Sequence, residues 1–167
     1  MKRLASCLLF LMMLPLAACG ESKDDFGVKY GGIGDTMSTE WFDFVVEDAY
    51  SCDRYHSYAP SAGDKLVIVT MSLKNNCGQP VDMWGEDFVI LWGGDDGAAG
   101  VDIPLPAGLS DDQFPDEYVL DASASRTGVM VFEVPREFRD FGVRFMEIFD
   151  DGGEGNTFFV DFTAEDR

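Results

Sequence analysis

The sequence predicts an antiparallel all-β sandwich of about seven strands. Short apolar segments recur along the chain, and clusters of Gly, Pro, Asn and Asp separate them, which is typical of strands joined by turns. No long segment has the 3.6-residue period of an amphipathic helix. With 167 residues, the chain has the length of one domain plus additional segments.

The predicted strands follow one another at turn-sized intervals. The clearest covers residues 65–74, in which four apolar side chains alternate onto one face: Val67, Val69, Met71 and Leu73. Residues 48–64 favour a loop because they are polar and contain Pro60 and Gly63. A long acidic and glycine-rich stretch from Gly93 to about Glu117 also favours loops. The other predicted strands are 41–46, 87–92, 126–134, 141–149 and 157–162.

The amino terminus has the organisation of a bacterial export signal. A basic start, Met1-Lys2-Arg3, precedes an apolar run from Leu4 to Leu14 that is too short to span a bilayer. The following Leu16-Ala17-Ala18-Cys19 matches a lipobox, in which the peptide is cut before the cysteine and the thiol is acylated. An ordinary secretory peptide with an incidental cysteine is the alternative.

This organisation divides the chain into three parts. Residues 1–18 are predicted to be a lipoprotein signal peptide, 19–33 a lipidated cysteine with a flexible tether, and 34–167 the folded domain. Acyl chains on Cys19 would hold the domain at a membrane, outside the cytoplasm. We therefore expect a lipid-anchored protein of the bacterial cell envelope.

The charge excludes several classes of function. The chain carries 31 acidic and 12 basic residues, a net charge of −19, and such a body repels nucleic acid phosphates. Its single histidine, His56, has no recognisable nucleophile motif beside it, and no glycine-rich phosphate loop is present. The sequence therefore predicts no enzyme, and paired-carboxylate hydrolysis is an alternative that would need a cleft.

Two cysteines fall in the predicted domain, Cys52 and Cys77. Exported proteins usually join such a pair, and the spacing is not the Cys-x-x-Cys of redox proteins. We expect a structural disulfide between them. A redox-active pair and two free thiols are the alternatives.

Acidic loops supply candidate ligands for calcium, which takes six to eight oxygen ligands. The candidate residues are Asp95, Asp96, Asp102, Asp150, Asp151 and Glu154. None of these segments has the spacing of an EF-hand, and the alternative is a solvated acidic surface.

A second candidate site is the tyrosine-rich segment 50–58, which has the composition of a protein interface. Its candidate contact residues are Tyr50, Arg54, Tyr55 and Tyr58. The alternative is that the tyrosines pack over the edge of the sandwich.

Several motifs together resemble the secreted bacterial immunoglobulin-like modules called domain of unknown function 4352. The matching segments, in order, are Gly34-Asp35-Thr36, Gly63-Asp64-Lys65-Leu66-Val67-Ile68-Val69 leading into Leu73-Lys74-Asn75-Asn76, Asp87-Phe88 with Leu91, and Gly128-Val129-Met130-Val131-Phe132-Glu133-Val134-Pro135. The resemblance implies an immunoglobulin-like sandwich at the cell envelope with no established enzyme activity. The sequence departs from the family at Leu120-Asp121-Ala122-Ser123, where a Pro-Gly-type turn is usual.

The functional expectation is a non-enzymatic binding or interaction module displayed at the cell envelope. Its partner would be another envelope or extracellular protein, with the membrane contacted through the lipid. The alternative is a calcium- or small-ligand-binding envelope protein that uses the acidic loops. No cofactor other than calcium is expected.

Overall fold

Two β-sheets pack face to face in the computed structural model, which describes residues 26–93 and 100–167. These residues form one 3-10 turn, Gly85–Asp87, and no α-helix. The strands are β1 Val28–Gly32, β2 Thr36–Ser38, β3 Phe42–Cys52, β4 Asp64–Asn75, β5 Val81–Trp84, β6 Phe88–Trp92, β7 Gly100–Asp102, β8 Glu117–Leu120, β9 Ser125–Pro135, β10 Asp140–Ile148, β11 Glu154–Thr163 and β12 Glu165–Asp166.

The strands are divided between two sheets and a separate ribbon. The first sheet has the order β1-β11-β10-β6-β7, and the second has the order β12-β3-β4-β9 with β2 added to β3. Strands β5 and β8 form the ribbon. All pairs are antiparallel except β1 with β11 and β12 with β3. The predicted all-β sandwich is confirmed.

The core between the sheets is rich in phenylalanine. Strand β4 supplies Val67, Val69, Met71 and Leu73, as its alternation predicts, and all four are buried. Phenylalanine rings from both sheets meet there in edge-to-face contacts. The Phe42 and Phe145 rings are 5.1 Å apart and those of Phe44 and Phe88 are 5.4 Å apart. Such pairs add about 0.5–1.5 kcal/mol each beyond burial of their area.

The opposite face of β4 is buried as well. Leu66 and Ile68 form a second cluster with Val129, Val131 and Tyr55. The segment before β8 covers this cluster, since Leu105 and Leu109 pack against it and the Leu105 amide donates to the Val131 carbonyl at 2.7 Å. Part of the predicted acidic loop region is therefore a structural cover over the second sheet.

Three strands extend into regions predicted as tether or loop. Strand β3 continues to Cys52. Its second half was not predicted, because a register shift between Val46 and Asp48 changes which side chains face inward and so interrupts the alternation. Strand β1 lies within the predicted tether, which is wrong for residues 28–32. Its glycines gave no strand pattern, and it is held by pairing with the distant β11. Strand β7 lies in the stretch after Gly93.

The predicted disulfide is wrong, because both cysteines are free. Cys52 pairs with Leu66 at one end of the β3–β4 hairpin, whereas the Cys77 amide donates to the Trp41 carbonyl at the other end. Ten strand residues separate the two ends, about 30 Å at 3.3 Å per residue. A disulfide needs Cα atoms within about 7 Å of each other.

Glu147 is a buried carboxylate that links three segments of the chain. It is 1% exposed, and its Oε1 accepts from the Glu40 amide at 2.7 Å. Its Oε2 accepts from the Asn156 amide at 2.7 Å and from Asn156 Nδ2 at 2.9 Å. A Cβ at Gly155 would lie 2.6 Å from the same Oε2, so this hairpin position requires glycine. The three donors compensate the loss of hydration of the carboxylate.

We expect Glu147→Gln to destabilise the domain by about 1–3 kcal/mol, because an amide NH₂ would replace an oxygen that faces N–H donors. The matched control is Glu154→Gln on the same hairpin, where the side chain is exposed. Urea unfolding of both variants measures the difference. A Glu147→Gln midpoint equal to that of the control would contradict this role for the carboxylate.

Candidate functional site

A basic pocket lies at one end of the sandwich. It has a volume of about 250 Å³ and is formed where β3 ends, β4 begins and the β9–β10 connection passes. Four of the chain's twelve basic residues contribute to its wall. We call this site the basic pocket; its wall consists of Cys52, Asp53, Lys65, Arg136, Arg139, Asp166 and Arg167.

Backbone pairing brings these distant residues together. Strand β12 runs parallel to β3, with Asp166 beside Ser51, and the Arg167 amide donates to the Ser51 carbonyl at 2.8 Å. The Arg136 amide donates to the Gly63 carbonyl at 3.0 Å, which fixes the β9–β10 connection beside the start of β4. The pocket is thus part of the strand framework and does not depend on one long loop.

Lys65 is the central cation of the pocket. The residue is 4% exposed, and its Nζ donates to Ser51 Oγ at 3.2 Å and lies 3.7 Å from Asp166 Oδ1. The Phe141 ring centroid is 5.8 Å from the same nitrogen. An ammonium group has three N–H donors. Among the described residues Lys65 Nζ donates one hydrogen bond, fewer than the three that its N–H groups can donate.

The arginines surround this ammonium with different degrees of pairing. Arg136 donates to Asp53 Oδ1 at 2.6 Å and to the Asp64 carbonyl at 2.9 Å. Arg139 is only loosely paired, with Nη2 3.7 Å from Asp166 Oδ2. Lys65 and Arg139 therefore share one carboxylate, and the pocket wall carries four cations against the side-chain carboxylates of Asp53 and Asp166.

Arg167 is held outside the centre of the pocket. It forms a bidentate pair with Asp48, and its guanidinium lies 4.7 Å from the centroid of the Tyr50 ring. The hydrogen bond to Asp48 and the charge of Asp48 raise the pKa of Arg167 above its ordinary value. Arg167 is therefore a permanent cation whose position is fixed by two neighbours.

Two other groups of the pocket have shifted acidities. The hydrogen bond from Ser51, followed by the charge of Lys65, lowers the pKa of Asp166, so this carboxyl is ionised at neutral pH. Burial raises the pKa of the Cys52 thiol, which makes its thiolate a minor species at neutral pH. The arrangement suits binding of an anion.

The four candidate contact residues of the tyrosine-rich segment 50–58 differ in their exposure, and its tyrosines are held against the sandwich. Tyr55 is 9% exposed, and its hydroxyl is 2.9 Å from Ser110 Oγ and 3.2 Å from Asp112 Oδ1. The Tyr58 hydroxyl donates to Glu133 Oε2 at 2.6 Å. Tyr50 is half-buried below Arg167, and of the four candidate residues Arg54 is exposed.

The candidate calcium ligands are not brought together where the structure describes them. Asp102 pairs with Ile90, and Ile90 pairs with Val143 on β10. The position of Val143 is roughly 15–20 Å along β10 from the β10–β11 turn, which carries Asp150, Asp151 and Glu154. Asp102 and Asp151 accept from the amides of Ile103 and Gly153 and so shape their own turns. Across residues 26–93 and 100–167 no group of three or more His, Cys, Asp or Glu could hold a metal. Asp95, Asp96 and Cys19 lie outside the described residues.

Sequence reasoning missed the basic pocket, although one signal was present. Lys65 has the same parity along β4 as Val67, Val69, Met71 and Leu73, so the alternation itself placed a lysine toward the interior. The other three basic residues of the pocket, Arg136, Arg139 and Arg167, follow Lys65 by 71 or more residues in the sequence. No local pattern relates them.

Comparison with known proteins supports the fold class. No protein-family model and no curated protein sequence matches the chain. Among solved structures, the chain is similar to a "putative lipoprotein (ycdA)" of Bacillus subtilis, with 16% identity and a TM-score of 0.59 over 77% of this chain and 38% of that one. Thus the chain spans well under half of ycdA.

Two further solved structures give the same result. The yjhA protein of Bacillus subtilis matches with 12% identity and a TM-score of 0.56, over 69% of this chain and 81% of that one. An uncharacterised β-sandwich protein of Clostridium difficile matches with 10% identity and a TM-score of 0.50, over 86% of this chain and 100% of that one. At these identities the likenesses show the fold class, a β-sandwich. The part of the chain that the structure describes has no helix long and apolar enough to cross a membrane.

The lowered pKa of Asp166 predicts a pH-dependent contribution to stability. Because the folded pKa lies below the ordinary value of 3.8, the contribution is complete above about pH 5 and is lost as the pH falls through the folded pKa. We expect the difference in urea midpoint between the parent protein and Asp166→Asn to be constant from pH 7 to about 5 and to shrink below about 4.

The control for this measurement is Asp121→Asn, at an exposed turn outside the pocket. It carries the same change of charge, so it corrects for the general effect of acid on a highly acidic protein. A midpoint difference for Asp166→Asn that stays constant down to pH 3 would show that Lys65 and Ser51 do not stabilise the ionised carboxyl.

Proposed function

We propose that this protein is a lipid-anchored, non-enzymatic β-sandwich module of the bacterial cell envelope that binds an anionic ligand in the basic pocket. The convergence of four basic residues around one cavity, in a chain with 31 acidic residues, carries this proposal. An immunoglobulin-like module of the domain of unknown function 4352 family is the narrower class to which we assign it. The ordered motifs support that assignment.

The chemistry of the pocket favours an oxyanion such as a carboxylate, sulfate or phosphate group. Lys65 supplies a buried point charge, and Arg139 supplies a planar guanidinium whose pairing with Asp166 is loose. Guanidinium and ammonium groups form short, charge-assisted hydrogen bonds with such anions. The cavity of about 250 Å³ accommodates a small anion or the acidic end of a larger partner.

The strongly negative body does not prevent anion binding at this place. At physiological ionic strength the field of an exposed charge is largely screened beyond about 8 Å, so the nearest groups dominate. The nearest groups are the four cations of the pocket wall, the carboxylates of Asp53 and Asp166 in the same wall, and Asp48, which pairs with Arg167. Negative charge elsewhere slows the approach of an anion more than it weakens the bound state.

Direct titration tests anion binding. We expect sulfate, phosphate or succinate to bind the parent protein in calorimetry, and Lys65→Met to weaken binding at least tenfold, or about 1.4 kcal/mol. Lys74→Met is the matched control, since Lys74 is an exposed lysine near the other end of the same strand. Absence of binding by all three anions, or an equal loss in the control, would contradict the proposal.

The two free thiols provide an internal readout of occupancy. Cys52 is in the pocket wall and Cys77 is about 30 Å away at the opposite end of the β3–β4 hairpin. A bound anion should therefore slow modification of Cys52 by a small thiol reagent and leave the Cys77 rate unchanged. Mass spectrometry of the labelled peptides distinguishes the two sites.

The lipid anchor is tested independently of the pocket. The proposal is supported by the lipobox at Cys19. The similar Bacillus subtilis structure is described as a "putative lipoprotein", which also supports an anchor at Cys19. In bacteria that produce the full chain, we expect labelled fatty acid on the parent protein and none on Cys19→Ser, which should leave the membrane fraction. Cys7→Ser is the control, and fatty acid retained by Cys19→Ser would refute this site.

A further inference from the structure

The middle of the outer face of the first sheet is unusually apolar for so acidic a protein, whereas Asp140 and Thr163 continue the same face at one end. Residues that pair across a sheet share a face. The registers therefore place Tyr30, Phe159, Arg144 and Val89 in one row across four strands. A neighbouring row runs from Asp161 through Gly142 and Leu91 to Val101. Val28, Thr157 and Met146 form a third row.

Solvent reaches the edges of this face. Tyr30 is 71% exposed, Val28 is 55% exposed and Val101 is 54% exposed. The Tyr30 ring stacks on Phe159 with ring centroids 5.4 Å apart, so two aromatic rings lie side by side on one edge. The three rows contain one cation, Arg144, and one carboxylate, Asp161. An exposed apolar sheet face of this kind marks a surface that is covered in use.

The position of β1 identifies the covering surface. Strand β1 is the edge strand of this sheet, and the described chain begins just before it, at Phe26. Six residues lie between Cys19 and Phe26, so seven Cα–Cα steps limit the distance between these two Cα atoms to about 25 Å. A lipid on Cys19 would therefore hold the β1 edge of this face within about 25 Å of the bilayer surface.

Composition and charge point to the same orientation. Tyrosine and other aromatic rings with a neighbouring arginine are the side chains that favour the interface between lipid headgroups and acyl chains. The carboxylates that dominate the rest of the chain are repelled by anionic lipids. A second copy of the chain is disfavoured as the occupant, because two bodies with a large excess of acidic over basic residues repel each other.

We propose that the outer face of the first sheet, defined by Tyr30, Phe159, Met146, Leu91 and Val101, rests on the lipid bilayer to which Cys19 is anchored. This inference rests on the lipid anchor of the proposed function and is independent of the anion. The second sheet then faces away from the membrane.

Depth-dependent quenching tests this orientation in the full mature lipoprotein. The protein is purified with its acyl chains, carries Cys52→Ser and Cys77→Ser, and is reconstituted into phosphatidylethanolamine–phosphatidylglycerol vesicles. A fluorophore is attached at Val101→Cys on the apolar face. The matched probe is Thr127→Cys, an exposed β9 position opposite Ser72 on the outer face of the second sheet. Vesicles with and without headgroup- and acyl-quenching lipids are compared.

We expect quenching lipids to reduce the Val101 probe's emission at least twofold and to change the Thr127 probe's emission by less than a tenth. Introducing Tyr30→Glu should abolish most of the quenching at Val101 while the mass of the acylated peptide stays unchanged. Circular dichroism confirms that both labelled proteins are folded.

The outcomes separate failure of the orientation from failure of the anchor. An acylated peptide together with equal quenching at both probes, or with none, overturns the orientation and leaves the lipid anchor intact. Protection of the Val101 probe by a second copy or by a partner protein, without lipid quenching, also overturns it. Absence of acyl chains refutes the anchor itself and, with it, this inference.

Discussion

The burial of β4 on both faces is the constraint on which most of the structure depends. One face contributes Val67 and Met71 to the core between the sheets. The other places Leu66 and Ile68 against a second cluster that must be covered. Tyr55 and the segment around Leu105 provide that cover, which is why the tyrosine-rich loop is drawn onto the sandwich. A single strand thereby determines which side chains remain available for binding.

The local patterns predicted the architecture because they are set by neighbouring residues. Alternation along 65–74 identified the central strand and its inward face, and the turn clusters separated most of the strands correctly. Prediction failed where the pattern was interrupted or absent. The register shift after Val46 concealed the second half of β3, and the glycines of β1 carried no pattern of their own.

The site could not be predicted because it depends on register over long distances. Pairing Cys52 with Cys77 was reasonable from composition, but the length of the β3–β4 hairpin holds the two thiols at opposite ends. The basic pocket combines residues from β4, the β9–β10 connection and the carboxyl-terminal strand. Each is an ordinary surface-type residue in the sequence. Lys65 alone stood out, because it occupies an inward-facing position of β4. Its carboxylate neighbour Asp166 is placed there by the pairing of β12 with β3, which the sequence does not reveal.

The parallel pairing of β1 with β11 has a mechanical consequence. The five registered positions from Val28 to Gly32 join the first described strand to the penultimate one. A pull on the amino end directed along β1 loads these backbone hydrogen bonds together in shear, whereas a pull across the sheet would break them one after another. A domain held at its amino terminus and tugged by a bound partner can thus bear tension without losing its edge strand first.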